Sequence, residues 1–115
     1  MHKPSNIEEL IAEVTALDLY TNLILQINKD LLLAGIDLEF SENTTPEILF
    51  SDLTQTVYYL LREKFMEYLN LLYIIDVPES QIKRLDGNDL EVLAKNVSFL
   101  ILKREWQKVW YKKHY

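Results

Sequence analysis

The sequence predicts an all-α fold. Residues 1–115 read as one domain, a helical bundle of about four to five helices with a long central and a long C-terminal helix. Three observations predict it. Glycine and proline are scarce, at 2 and 3 of 115 residues, well under half of the usual ~12%. Hydrophobic residues make up 49% of the chain and recur mostly at the helical period. The few glycines and prolines, with nearby Ser, Thr, Asn and Asp, stand where helices would start or stop. The same composition excludes several classes. With Gly35 and Gly87 as its only glycines, the chain can build no glycine-rich phosphate loop or dinucleotide fingerprint. Without cysteine it has no disulfide, thiolate metal site or cysteine nucleophile.

The elements follow in order. Ser5-Asn6-Ile7-Glu8 reads as a capping box that opens a helical region extending to about Ala34, where Gly35 suits a left-handed C-cap. Ile7, Leu10, Ile11, Val14 and Leu17 share one face, whereas Leu19, Tyr20, Leu23, Ile24, Ile27 and Leu31 gather on the opposite one. A stripe that changes sides means a break near Ala16–Asp18 or a helix with two partners, and the break is preferred. Ile36-Asp37-Leu38-Glu39-Phe40 alternates like a strand, but no second segment offers a partner for its backbone. It is read as an extended connector, with a sheet shared between two chains as the alternative.

Thr45 as N-cap and Pro46 at the first helical position open the next helix. Phe50, Leu53, Val57, Leu60, Leu61, Tyr68, Leu71, Leu72 and Ile75 form one stripe, enough for a helix of up to ~30 residues. Lys64 interrupts that stripe and predicts a kink or a snorkelling lysine. Asp76-Val77-Pro78 ends it. Pro78 to Leu85 allows about two helical turns, and Asp86-Gly87 is a turn. Asn88-Asp89-Leu90-Glu91 is a second capping-box pattern, opening a last helix from about Asp89 to near Lys113.

No catalytic constellation is recognisable, and the chain is expected not to be an enzyme and to need no cofactor or metal. Its two histidines, His2 and His114, lie at the ends. Glu63 and Glu67 could aim two carboxylates at a cation, but Arg62 and Lys64 beside them favour a solvated charged face. Asp86-Gly87-Asn88-Asp89 lacks the ligand spacing of a calcium loop, so a turn with an N-cap is preferred.

Two surplus apolar faces carry the functional expectation. Tyr59, Met66 and Tyr73 recur at seven-residue spacing opposite the main stripe, beside Phe65 and Leu69. Either another helix of the bundle covers them or they meet a partner, since Tyr and Met are enriched at interfaces. On the last helix, Leu90, Leu93, Val97, Leu100 and Ile101 lie on one side. Phe99, Leu102, Trp106, Val109 and Trp110 lie on the other. Net charge is −6 overall but strongly polarised. Residues 103–115 carry Lys103, Arg104, Lys108, Lys112 and Lys113 against Glu105 alone, while the remainder holds 17 acidic and 7 basic residues. Trp106 and Trp110 either complete the core, with the basic residues suiting the helix dipole, or dock on a partner. In a third reading the basic, aromatic helix binds nucleic acid or a membrane surface.

At Leu72-Tyr73-Ile74-Ile75-Asp76-Val77-Pro78-Glu79 and Ile101-Leu102-Lys103-Arg104-Glu105-Trp106-Gln107-Lys108 the chain resembles small uncharacterised all-helical bacterial proteins of Bacteroidetes type. The resemblance implies a bacterial cytosolic protein and brings no activity or site residue with it. An N-terminus carrying Glu8, Glu9 and Glu13 does not look like a targeting peptide. The longest uncharged run, Leu19 to Asn28, is ten residues, too short to span a membrane. The expectation is a cytoplasmic, non-catalytic interaction protein. It would be a homodimer, or bind another protein, through Tyr59, Met66 and Tyr73 or through Trp106 and Trp110. The alternative is a nucleic-acid-binding or regulatory protein that uses the basic C-terminal helix.

Overall fold

The computed structural model describes residues 3–115, and His2 lies outside the described residues. Its six helices among those residues are α1 (Ile7–Ala16), α2 (Tyr20–Leu33), α3 (Pro46–Glu63), α4 (Phe65–Ile75), α5 (Glu79–Lys83) and α6 (Leu90–His114). They form a single-domain bundle with α3 as the long central helix and α6, at 25 residues, the long C-terminal one. α6 packs chiefly on α3 and α2, with α1 and α4 closing the sides.

The helix count reaches six because the central segment divides at Lys64 in addition to the preferred break in the N-terminal region. The N-terminal region divides at Leu17–Leu19, and α1 and α2 meet at 119°. Asp18 turns the chain with φ +57°, while Leu19 N–H donates to the Val14 carbonyl five residues back. Gly35 (φ +74°) and Asp76 (φ +69°) end α2 and α4 with the same five-residue bond, from Ile36 to Leu31 and from Val77 to Leu72. Glycine takes the left-handed region without a Cβ penalty, and aspartate is among the few residues that tolerate it.

The central stripe breaks at one residue. Continuing α3 as a helix would carry Lys64, one turn beyond Leu60, onto the buried side. Lys64 instead adopts φ −141°, ψ 59°, and its side chain stays exposed. α4 then restarts and buries Tyr68, Leu71, Leu72 and Ile75.

Caps form, but two lie one residue later than expected. Asn6, not Ser5, is the first N-cap: its Oδ1 accepts from Glu9 N–H at 2.8 Å, and Glu9 Oε1 accepts from Ser5 N–H at 3.3 Å. Asp89, not Asn88, caps α6 through Glu91 and Val92 N–H. Thr45 caps α3 as expected, with Pro46 in its first turn.

Residues 36–40 form no strand. The extended connector obtains its hydrogen bonds from a side chain: Asn28 on α2 both donates to the Phe40 carbonyl and accepts from its N–H, each at 2.8 Å. Tyr20 Oη secures the far end by donating to the Thr44 carbonyl at 2.6 Å.

No single helix among the described residues is long and apolar enough to cross a membrane. The core runs from Leu10 and Val14 through Leu23, Ile27 and Leu31 to Leu53, Val57, Ile101 and Leu102. Trp106 is its largest member and is fully buried, with an indole N–H that meets no partner. Trp106→Ala is therefore expected to lower stability by about 3–5 kcal/mol. Trp106→Phe should cost far less, because no hydrogen bond is lost. Exposed Tyr73→Ala should stay within about 0.5 kcal/mol of wild type. Urea denaturation of the three variants checks this ordering.

Candidate binding surfaces on α6 and α4

The sequence offers five basic residues at the C-terminal end, and the fold divides them. Lys103 lies over the Phe99 ring, 6.0 Å from its centre. Arg104 reaches the end of α4, donating to the Asp76 carbonyl at 3.0 Å and its carboxylate at 3.2 Å. Lys108 turns inward and donates to Asp30 Oδ2 on α2 at 2.8 Å. Lys112 donates to Gln26 Oε1 at 2.6 Å and remains exposed, as does Lys113. Arg104, Lys108 and Lys112 thus form a row of contacts to the bundle, with only Lys112 at the open surface.

Lys108 enters a polar cluster that the sequence reading missed. Asp30 and Glu105 are both buried, on α2 and α6. As a carboxylate, Glu105 would have only Lys108, 3.3 Å from Oε1, as a donor, and none for Oε2. As an acid it donates to Asp30. Burial, followed by the Asp30 charge beside it, pushes the Glu105 carboxyl up to about 9, against the 3.3 Å approach of Lys108. Burial also pushes Asp30 upward, but hydrogen bonds from Glu105, Lys108 and Gln26, with the Lys108 charge, outweigh it and hold Asp30 below the usual range. At neutral pH the group is one acid, one carboxylate and one ammonium, with no net charge.

The signal for this cluster was present in the periodicity. Asp30 lies on the helix phase of Leu23, Ile27 and Leu31, and Glu105 lies on that of Ile101, Leu102 and Val109. A carboxylate on each of two apolar stripes implies a shared partner inside.

The charge on the outer face changes accordingly. α2 holds only Lys29 and Asp30 as charged residues, and the only acid after residue 102 is the protonated Glu105. Lys29, Lys112 and Lys113 border a groove of about 310 Å³ between α2 and α6, with Asn22, Leu25, Gln26 and Val109. Among the described residues none of these three lysines pairs with a carboxylate.

Aromatic rings occupy the end of the same helix. Trp110 stacks on His114 at 4.1 Å, Tyr111 stacks on Tyr115 at 5.5 Å, and the Trp110 and Tyr111 rings meet edge to face. Trp110 is half-buried, while Tyr111 and Tyr115 are exposed. The expected two-tryptophan face does not exist as a surface, because Trp106 belongs to the core. The aromatic cluster that does exist joins Trp110 to Tyr111, His114 and Tyr115.

The other candidate face is also rearranged. Met66 and Tyr73 are 76% and 81% exposed, with Phe65 and Leu69 beside them on α4 and no helix above them. Tyr59 is exposed too, but the break at Lys64 takes it out of line. It borders a groove with Gly35, Leu38 and Asp52, whereas Tyr73 borders one between α4 and α5.

Three of the four carboxylates weighed as cation ligands have other roles. Asp86 accepts from Asn88 N–H at 2.9 Å and Asp89 caps α6, while Glu63 pairs with Arg62 at 3.0 Å. Among the described residues no three His, Cys, Asp or Glu side chains converge as metal ligands. Comparison of the chain with known protein families, curated proteins and solved structures returns no match.

The buried cluster generates a pH dependence. Glu105 keeps its proton in the folded state up to about pH 9 and loses it near 4.3 when unfolded. Unfolding between those values releases a proton, so stability is fullest in mild acid and falls until about pH 9, then levels. Asp30 acts with the opposite sign, its contribution being lost as pH drops below the usual carboxylate range. Chemical denaturation across pH should show this decline in wild type. In Glu105→Gln, whose amide can still donate to Asp30, the decline should be absent.

Proposed function

We propose that the chain is a non-catalytic binding protein whose α2/α6 face takes single-stranded nucleic acid. The observation that carries this reading is the union of two features at one end of α6. Lys29, Lys112 and Lys113 border one groove without a carboxylate partner, and the stacked rings of Trp110, Tyr111, His114 and Tyr115 lie on the other side of the same last turns of α6. Single strands are held by this combination elsewhere: cations follow the phosphates, and flat side chains accept unpaired bases.

The net charge of −6 is no obstacle to such a surface. Binding responds to the local field, and within α2 and the last 13 residues the exposed charged side chains are basic. Protonation of Glu105 strengthens that field, since it removes a negative charge beneath the groove. Duplex DNA fits less well, because three lysines at a helix end provide neither a long basic track nor a reading helix. The non-catalytic part of the proposal is supported by the position of the most perturbed acid, Glu105, which is fully buried and beyond the reach of a substrate.

Fluorescence anisotropy with a labelled single-stranded oligonucleotide tests the reading. Binding is expected at low salt, with a log–log salt slope of about −2 for three phosphate contacts. Charge reversal at Lys112 and Lys113 should abolish most of it. Tyr111→Ala with Tyr115→Ala should weaken it by about tenfold, within the range expected for one lost stacking partner. Absence of binding at low salt, or binding indifferent to both sets of substitutions, contradicts the proposal.

A further inference from the structure

We infer that Asp86 is a site of spontaneous backbone modification, where the link to Gly87 passes from the Asp86 main chain to its side chain and leaves an isoaspartyl residue between α5 and α6. The site precedes α6, at the opposite end of that helix from Lys112 and Lys113. It stands whether or not the α2/α6 face binds nucleic acid. The reaction needs an aspartyl carboxyl, a free N–H on the next residue and room for the two to meet. Six of the seven aspartates precede leucine or valine, whose side chains crowd that approach, whereas Asp86 precedes glycine. With no Cβ, Gly87 offers no such obstruction and has the wider choice of backbone angles.

The fold makes the same selection. Asp30 and Asp52 lie inside helices, so the N–H that follows each is committed to the helical ladder. The N–H groups after Asp18, Asp37 and Asp76 are also bonded: Leu19 to the Val14 carbonyl, Leu38 to that of Ile36 and Val77 to that of Leu72. Asp89 is held as the α6 cap, its carboxylate accepting from Glu91 and Val92 N–H. At Asp86 neither constraint applies. Residues 86 to 90 are exposed, and Asp86 and Gly87 belong to no helix. Gly87 N–H donates to no atom among the described residues. The Asp86 carboxylate accepts from Asn88 N–H at 2.9 Å, an exposed bond that water can replace.

The chemistry balances with water alone. The Gly87 nitrogen attacks Cγ of the Asp86 carboxyl in its acid form. The N–Cγ bond forms, and the amide proton leaves with the carboxyl OH as water. Hydrolysis of the cyclic imide takes water back. Addition at Cγ restores aspartate, whereas addition at the former main-chain carbonyl breaks its bond to nitrogen and leaves the isoaspartyl form. That product has one more methylene in the main chain, three positions before the Asp89 cap of α6. The carboxyl group that accepted from Asn88 is then part of the new amide, so the turn leading into α6 is remodelled.

The test is to incubate the whole chain in warm, mildly acidic buffer and cleave it with trypsin at Arg84 and Lys95, which releases residues 85–95. Chromatography with mass spectrometry is expected to show a second form of unchanged mass, with fragmentation placing the altered linkage at Asp86. It should accumulate at a rate comparable to that in the isolated 85–95 peptide. Gly87→Ala should abolish most of it without unfolding the chain. The added Cβ meets nothing nearer than Leu93 Cδ2 at 3.9 Å, an ordinary contact, so far-UV circular dichroism should be unchanged. An isomer that forms in the peptide but not in the folded chain, or in neither, overturns the inference. So does one placed at Asp89, or one that Gly87→Ala forms at the full rate.

Discussion

Two carboxyl groups from separate helices, Asp30 and Glu105, meet inside the bundle, and two negative charges cannot coexist at such a site. One must hold a proton. Burial and the neighbouring Asp30 assign it to Glu105, whereas Asp30 keeps its charge under Lys108 at 2.8 Å. The remaining contacts between α2 and the end of α6 extend from this group. Lys108 is one turn from Glu105, and Lys112, a turn further, meets Gln26, a turn back from Asp30. The two helices run antiparallel with a polar contact at successive turns, which fixes their register where apolar packing alone would allow sliding. Apolar replacement of such a cluster can leave stability unchanged or higher. Its contribution here is the placement of α6 relative to α2.

That placement determines what the surface can do. With Lys108 drawn inward and Glu105 neutral, the last two turns of α6 present Lys112 and Lys113 next to Lys29, with the aromatic rings on the other side of the helix. The acidic residues lie on the other elements, chiefly α1, the connector, α3 and the segment from Asp76 to Glu91. A chain with net charge −6 therefore has one basic face. Trp106 anchors the same helix from the opposite direction, filling the core. The mixed apolar and basic character of the C-terminal segment thus separates into a buried tryptophan, an internal salt bridge and an outer aromatic–basic end.

The helical class and most boundaries were legible in the sequence because their causes are local. Thr45 and Pro46 announce α3, Gly35 ends α2, and the change of apolar face near Ala16–Asp18 marks the turn into α2. Lys64 signalled its break because a lysine on a buried stripe must leave it. The left-handed aspartates at 18 and 76 were less visible, since aspartate occurs in many other settings. Nothing local specified that Asn28 would bond the backbone of Phe40, 12 residues away. The candidate site was legible only in part. Five basic residues were evident, but their division depends on which helix each one faces, and that is a tertiary property. Trp106 and Trp110, four residues apart on one helix face, separate into core and surface because α6 is covered further along one side than at its end. Asp30 and Glu105 offered the missed clue, as charged residues in phase with leucine and isoleucine.

The proton on Glu105 at neutral pH decides whether the buried group of Asp30, Glu105 and Lys108 is neutral, and with it how basic the outer face is. Carbon-detected NMR titration of the side-chain carboxyl groups measures it directly. The Glu105 carboxyl is expected to titrate at about pH 9, while Asp30 stays ionised to below the ordinary carboxylate range. A Glu105 carboxyl that titrates near the ordinary glutamate value of about 4.3 would contradict a buried proton at neutral pH.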